Sequence, residues 1–253
     1  MYNKERVERI MQILKQNGSV SVNELAEIFQ VSGATIRTDL AKMDRAGMVT
    51  RTHGGAIMNS PILRETLLSE RTNADKKRLI AQKALEFIHE RGIILLDTGT
   101  TMAALAQALV QSPLRELTVF TNDIDVIRIL EEKEHFDLTL FGGKVRNRFH
   151  YCGGSGLLQE LANYHFSTVF LAASAIHEVY GLTTENIELA NIKSEMIRSA
   201  DEVVLLADSS KMGKVQLRKF ASLSDVDTLI MDDGVDETDR EKLRTAVGEL
   251  ILV

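Results

Sequence analysis

The sequence predicts an α/β protein in two parts, a small helical N-terminal domain and a larger domain around a sheet. Residues 1–58 show helical apolar periodicity interrupted by turn signals. From residue 92 onward, short apolar runs alternate with helical stretches, a pattern typical of a doubly wound, mostly parallel sheet. The chain has 253 residues, enough for two cores. We therefore expect domains over 1–58 and 75–253, joined by a linker over 59–74.

Composition excludes several classes of protein. Hydrophobic residues make up 44% and charged residues 26%, as in ordinary globular domains rather than disordered chains. A single cysteine excludes an internal disulfide, and the six histidines show no metal-ligand spacing, so we expect no metal and no cofactor. No apolar run approaches the roughly 18 residues that span a bilayer, and no apolar signal core follows the N-terminus. We expect a cytoplasmic protein with no membrane partner.

Three short helices are predicted in the N-terminal part. Ser21 and Glu24 fit a capping box at the start of the second helix, and Ser32 is placed to cap the third. The predicted buried faces are, in chain order, Val7, Ile10, Met11 and Leu14; Leu25, Ile28 and Phe29; and Ile36, Leu40 and Met43. Two short helices joined by a tight turn, with a helix before them, match a helix-turn-helix.

A hairpin is predicted after the third helix, with residues 49–52 alternating like a strand, glycines at 54–55, and 56–57 returning. The third helix and this hairpin then form a winged helix-turn-helix, whose outward polar side chains suit phosphates and base edges. The residues predicted to contact double-stranded DNA are Ser32, Thr35, Arg37, Thr38, Lys42, Arg51 and His53. The alternative is a small helical module that binds protein or dimerises, with these charges simply solvated.

Seven strands are predicted in the C-terminal part, and polar or glycine clusters follow several of them. These clusters are 97–101, 121–122, 142–143 and 208–211. In a parallel sheet such clusters meet at the carboxyl edge, where ligands bind, and the glycine, the hydroxyls and the following helix at 97–101 suit an anion. Each cluster alone is more often an ordinary loop, but four clusters that each follow a strand indicate a polar pocket. No G-x-G-x-x-G follows a strand, which disfavours a dinucleotide.

The segment 31–40, with Gly47 and residues 51–56, resembles the DeoR family of bacterial transcription regulators. Thr38 departs from the family, which usually has a second arginine at this position. Asp39 matches the family, but phosphates would repel its carboxylate, so we expect it to pair with a nearby cation of this chain.

The resemblance continues through 97–101, 121–122, 142–143 with Arg146, 181–184, Glu188, Lys193 and 208–211. It implies a C-terminal effector domain resembling ribose-5-phosphate isomerase, controlled by a phosphorylated sugar or polyol. Thr98 to Thr101 would hold the phosphate, Lys193 and Lys211 would add positive charge, and Asp97, Asn122 and Glu188 would reach hydroxyls. The implied effector-binding residues are Asp97, Thr98, Gly99, Thr100, Thr101, Thr121, Asn122, Gly142, Gly143, Arg146, Glu188, Lys193 and Lys211. For Lys193 the alternative is a plain exposed lysine.

Two functions follow from these patterns. The first is a regulator, in keeping with the family's repressors of carbohydrate genes, whose affinity for operator DNA changes when the effector binds. Because a half-site is short, we expect a homo-oligomer, a dimer or tetramer. The second is a sugar-phosphate isomerase with an accessory DNA-binding module. Segment 172–177 lacks the acid that the isomerase pattern places there, which disfavours the enzyme.

Overall fold

The computed structural model describes residues 6–7, 9–11, 13–14, 19–45, 49–52, 54–58, 73–147 and 149–253. The chain divides into two compact units, 1–74 and 75–253. Of the sequence predictions, His53 and nearly all of the linker lie outside the described residues.

The N-terminal unit contains three helical segments around one core. The described residues among 6–14 are helical, and two helices follow, α1 at Val22–Phe29 and α2 at Gly33–Arg45. The capping box is confirmed, since Ser21 Oγ accepts from Glu24 N at 3.1 Å and Glu24 Oε2 accepts from Ser21 N at 2.9 Å. The core joins all three segments through Ile10, Leu14, Leu25, Ile36, Leu40 and Met43. Ile28 was wrongly assigned to the core, because the inward face of α1 runs through Val22 and Leu25 and leaves Ile28 56% exposed.

The predicted hairpin is present and has a third strand. Strands β2 at Val49–Arg51 and β3 at Gly55–Met58 pair antiparallel, and β1 at Ser19–Ser21 pairs with the other edge of β3. Gly55 is required where β3 passes β1, because a Cβ there would lie 1.8 Å from the carbonyl oxygen of Val20. The sequence gives β1 no signal, since it has only three residues.

The C-terminal unit is built on a seven-stranded sheet that is parallel throughout. Its strands are β4 Ile93–Leu96, β5 Thr118–Thr121, β6 Asp137–Leu140, β9 Phe166–Ala172, β12 Ala200–Ala207, β14 Thr228–Met231 and β15 Glu249–Leu252. Their spatial order is β15-β14-β12-β9-β4-β5-β6. The chain runs outward from β4 in one direction and from β9 in the other, so the strand order reverses between β4 and β9.

Helices cover both faces of this sheet. One face packs on α3 Ala74–Ala84, α4 Thr100–Gln111 and α5 Ile124–Leu130, and the other on α6 Ser155–Leu161, α7 Ile187–Arg198 and α8 Glu237–Ala246. Ile94 and Leu96 of β4 point into the first layer and Leu95 into the second, as the period of a strand requires. The predicted α/β fold with its doubly wound sheet is confirmed.

Two smaller antiparallel sheets were not predicted. Strand β7 at Lys144–Arg146 pairs with β8 at Tyr151–Gly153. Strands β10 at Ala175–His177, β11 at Gly181–Thr184 and β13 at Arg218–Ala221 form the other. No described helix is long and apolar enough to cross a membrane.

Helix α3 is shorter than its sequence predicts, and a different face of the helix points inward. The apolar spacing of residues 74–90 predicts one helix with Leu79, Ile80, Ala84 and Ile88 inward. In the structure α3 ends at Ala84 and a 3-10 turn follows at Leu85–Phe87. Leu79 is 45% exposed because Lys77, two positions earlier, takes the inward place together with Ile80 and Ala81.

Candidate functional site

The outward face of α2 carries the side chains predicted to meet DNA. Arg37, Thr38 and Lys42 are exposed and Thr35 is half-buried, while Ile36 is buried beneath them. Arg51 is exposed on β2 of the hairpin. Three cations therefore lie on α2 and on the β2–β3 hairpin, the wing of this unit, a distribution that suits a phosphate backbone.

The hydroxyls of α2 already have partners within the chain. Ser32 Oγ accepts from Thr35 N at 3.2 Å, as a cap does, and lies 2.9 Å from Thr35 Oγ1. Thr38 Oγ1 donates to the carbonyl of Ala34 at 3.0 Å, so it is left to act as an acceptor. Guanidinium and ammonium groups are consequently the main donors on this face.

Asp39 points inward, where Arg6 Nε donates to its Oδ2 at 2.6 Å. The expectation that this acid pairs with a nearby cation is confirmed. A negative charge is thereby withdrawn from the face that carries Arg37.

In the C-terminal unit, the point where the strand order reverses is bridged by a buried ion pair. Asp97 follows β4, and its Oδ2 accepts from the backbone N–H of Ala172, the last residue of β9, at 2.9 Å. Lys193 of α7 ion-pairs with the same oxygen and also donates to the carbonyl of Ala172 at 2.8 Å. Lys193 is 3% exposed, so the alternative of a plain surface lysine is wrong.

Segment 97–101 contains the first residues of α4, whose backbone N–H groups lie at the same edge of the sheet. Gly99 adopts a φ of 108° and a ψ of 179°, a conformation that side chains other than glycine rarely allow, and no side chain caps α4 from this position. The first N–H groups of α4 have no partner inside the helix, so they remain available to an anion. Lys77 of α3 donates to Thr100 Oγ1 at 2.8 Å, which adds a cation that the sequence interpretation missed.

Asp123 ties this loop to the next strand end. Its Oδ2 accepts from Gly99 N at 2.9 Å, while Oδ1 caps α5 by accepting from Asp125 N and Val126 N. Burial raises the pKa of Asp123 to about 6, against the lowering effect of these N–H donors. The sequence interpretation missed Asp123, although its position directly before a helix is a capping signal.

Thr121 and Asn122 are fully buried beside it. Thr121 Oγ1 accepts from Asp123 N at 3.0 Å, so it supports the turn. Asn122 Nδ2 donates to the carbonyl of Cys152 at 2.8 Å. Among the described residues, Asp97 Oδ1 and Asn122 Oδ1 are buried with no hydrogen-bond partner.

The β7–β8 hairpin lies against the strand-end residues. The backbones of Asp123 and Tyr151 form an isolated antiparallel β-bridge. Next to it, the backbone N–H of Cys152 donates to the carbonyl of Asn122 at 2.8 Å. Arg146 of β7 ion-pairs with Glu188 in the first turn of α7, and both side chains are partly exposed. Glu188 also contacts the position of Gly153, where a Cβ would lie 3.2 Å from its carboxyl carbon. Gly143 lets the β6–β7 loop approach β8, since a Cβ there would lie 2.4 Å from the carbonyl oxygen of Gly153.

The predicted effector residues therefore fall into two groups. Those after β4 and β5 meet through the contacts above, together with Lys193 and the backbone of Ala172 at the end of β9. Lys211 lies in a 3-10 turn after β12 and is half-buried, one strand further along the edge. Gly142 is exposed, and a Cβ there would meet no described atom within 4 Å.

Two surface clefts in this unit lie away from that edge. One of about 350 Å³ is lined by residues including Pro113, Arg115 and His135, at the amino-terminal ends of β5 and β6. The other, of about 630 Å³, runs between α4 and α5 past Gln107 and Arg128. Neither contains a predicted site residue, so concavity alone does not identify the site.

One unit of this chain is a winged helical unit with cations outward, and the other is an α/β unit with an uncapped helix N-terminus at its carboxyl edge. This combination is typical of a DNA-binding regulator that senses a small ligand. Two family models match the chain: DeoR-like helix-turn-helix domain over residues 6–61 and DeoR C terminal sensor domain over residues 72–233.

Relatives match over nearly the full length. HTH-type transcriptional repressor GlcR of Bacillus subtilis is 32% identical over 92% of this chain and 89% of its own. The uncharacterized HTH-type transcriptional regulator YulB of the same organism is 35% identical, over 92% and 90%. The lactose phosphotransferase system repressor of Staphylococcus epidermidis is 31% identical, over 96% and 97%.

The chain belongs to the DeoR family of transcription regulators, and it is a regulator rather than an enzyme. Among solved structures, ribose 5-phosphate isomerase A from Methanocaldococcus jannaschii covers 56% of this chain and 55% of its own at 18% identity. Its TM-score is 0.40, too low to support an inference.

Proposed function

We propose that this regulator represses carbohydrate-utilisation genes. A phosphorylated sugar or polyol, bound at the carboxyl edge of the parallel sheet, controls its affinity for DNA. The observation that carries the proposal is the uncapped N-terminus of α4 beside the Asp97–Lys193 pair, at the reversal of strand order. The names of the relatives GlcR and the lactose phosphotransferase system repressor support the gene class.

The phosphate end of the ligand is assigned to loop 97–101. Backbone N–H groups at the start of α4 and the hydroxyls of Thr98, Thr100 and Thr101 supply donors to phosphate oxygens. Lys77, already on Thr100 Oγ1, supplies positive charge, and Lys211 adds more from the next part of the edge. Lys193 acts indirectly, because its ammonium is engaged by Asp97 and the Ala172 carbonyl.

The hydroxyl end is assigned to Asp97 and Asn122. Leu96 pairs with Thr121, so the residues that follow them are neighbours at the sheet edge. Their unpartnered oxygens are acceptors, which a ligand hydroxyl satisfies and a phosphate oxygen does not. Both atoms are covered in this structure, so binding requires the surrounding loops to open. Arg146 and Glu188 are assigned to the rim, where each is partly exposed.

The DNA face is assigned to Ser32, Thr35, Arg37, Thr38, Lys42, Arg51 and His53. Arg37, Lys42 and Arg51 are the phosphate contacts, and Thr38 presents an acceptor and a methyl group to base edges. One winged unit reads a short half-site, so we propose a homo-oligomer on repeated half-sites, acting in the cytoplasm.

A thermal-shift screen of the full chain tests the effector site. The panel contains phosphorylated sugars and polyols, their unphosphorylated counterparts and inorganic phosphate. A ligand at a hundred times its Kd stabilises the folded state by about 2.7 kcal/mol, so phosphorylated members should raise the melting temperature. A shift by unphosphorylated sugars alone contradicts the proposal.

Paired variants locate the site. Thr100→Ala and Lys211→Ala should abolish or weaken the shift while leaving DNA binding intact. Thr245→Ala, on the exposed side of α8, and Lys214→Ala, an exposed lysine near Lys211, are the matched controls. If both site variants respond as the parent does, the pocket is misplaced.

A further inference from the structure

Among the described residues, helix α2 carries one ionisable side chain on its buried face. Asp39 is 2% exposed and sits within the same stripe as Ile36, Leu40 and Met43. Its partner is Arg6, in the first helical segment of the unit, at 2.6 Å. The two residues are 33 positions apart, so this ion pair joins two separate helices of the N-terminal unit.

The core that these helices share is apolar, and apolar packing is much less directional. Ile10 and Leu14 share one core with Ile36 and Leu40. Apolar cores accept small rotations and slides of a helix at modest cost, whereas a guanidinium-carboxylate hydrogen bond has few good geometries. The ion pair therefore distinguishes one orientation of α2 from its near neighbours.

That orientation decides which side chains face outward. Arg37 and Thr38 directly precede Asp39 in α2 and are exposed because Asp39 is turned in. Successive residues of a helix are about 100° apart, so a rotation of α2 by even part of that angle displaces these side chains from a groove.

Near the C-terminal end of α2, a hydrogen bond joins the helix to strand β2 of the wing. Asp44 Oδ1 accepts from the backbone N–H of Arg51 at 3.3 Å. A turn of α2 therefore carries the wing with it, so the ion pair affects both proposed DNA-contacting surfaces.

We propose that Arg6 and Asp39 are positioning residues for DNA recognition, which fix the rotation of α2 rather than merely stabilising the unit. The inference rests on the proposal that α2 faces DNA. The effect on stability can be separated from the effect on the orientation of α2. Replacing both charged side chains by apolar groups of similar size commonly preserves stability, but the replacement removes the directional contact.

The test uses the full chain and a duplex that the parent protein enriches from a randomised library. The variants are Arg6→Met, Asp39→Leu and the double variant, with Arg91→Met/Glu116→Leu as control at an exposed ion pair of the other unit. Each single variant removes one partner of the buried Arg6–Asp39 pair and should lower the melting temperature. The double variant should recover most of it, yet bind the enriched duplex about tenfold more weakly and discriminate less against a scrambled duplex.

Two conservative variants keep the test decisive if the double variant does not fold. Asp39→Glu and Arg6→Lys retain both charges but change the distance between the helices, and each should lower affinity for the enriched duplex while the unit stays folded. Parent-like affinity and discrimination in a folded double variant, or in both conservative variants, overturns the inference alone. A parent that enriches no duplex overturns the DNA-facing role of α2, and this inference with it.

Discussion

Replacing Lys193 by methionine should destabilise the C-terminal unit far more than an ordinary lysine substitution does. The change removes an ammonium that pairs with Asp97 and donates to the carbonyl of Ala172 at 2.8 Å. It leaves the carboxylate of Asp97, which is 0% exposed, with the Ala172 N–H as its remaining hydrogen-bond donor among the described residues. Breaking a buried ion pair in this way costs about 3–5 kcal/mol, a large share of the 5–15 kcal/mol typical of a whole protein.

Urea unfolding followed by far-UV circular dichroism measures this loss, with the two units fitted as separate transitions if they separate. Arg198→Met in the same helix is the control, because the Arg198 side chain is exposed and ion pairs with an exposed partner contribute about 0–1 kcal/mol. If Lys193→Met loses no more than the control, the buried pair does not stabilise the strand ends and the assignment of Lys193 as a supporting residue is wrong.

Three further perturbations have expected outcomes. Arg37→Ala should weaken binding to an enriched duplex and reduce the slope of log affinity against log salt by about 1, and an unchanged slope removes Arg37 from the phosphate contacts. Gly55→Ala should destabilise the N-terminal unit by more than about 2 kcal/mol in thermal unfolding, because the new Cβ would lie 1.8 Å from the carbonyl oxygen of Val20. Gly54→Ala is the control, and it should change the stability little because a Cβ there would have no atom within 4 Å. The pKa of Asp123 is raised from 3.8 to about 6 in the folded state. Between these pH values the folded state holds a proton that the unfolded state has released. The free energy of unfolding of the parent should therefore fall relative to that of Asp123→Asn as pH rises from about 4 to about 6, by up to about 3 kcal/mol. A pH-independent difference between the two proteins would refute the raised pKa.

The inner strands of the main sheet were predictable because strands buried on both faces are nearly continuous apolar runs. Ile93 to Leu96 and Leu229 to Met231 are examples. The edge strands β6 and β15, in contrast, are only partly buried. Strands β7, β8 and β10 have three residues each, too few for a period, so their pairing depends on the folded environment.

The candidate site was predictable in outline but not in its pairings. Polar residues after buried strands marked the carboxyl edge, yet the pair of Asp97 and Lys193 joins positions 96 apart, which no local pattern encodes. Lys77 had a usable signal, since it lies three and four residues before Ile80 and Ala81 on one helical face. Ile28 and Leu79 were misplaced because the helical period allows more than one apolar stripe, and packing selects among them.

The central claim is that a ligand at the sheet edge changes the affinity of the chain for DNA. Fluorescence anisotropy of a labelled, parent-enriched duplex, titrated with and without a saturating phosphorylated sugar that raises the melting temperature, measures this coupling. We predict that the apparent Kd for DNA increases about 5- to 150-fold, the range that a coupling of 1–3 kcal/mol produces. Identical Kd values with the sugar bound would contradict the account.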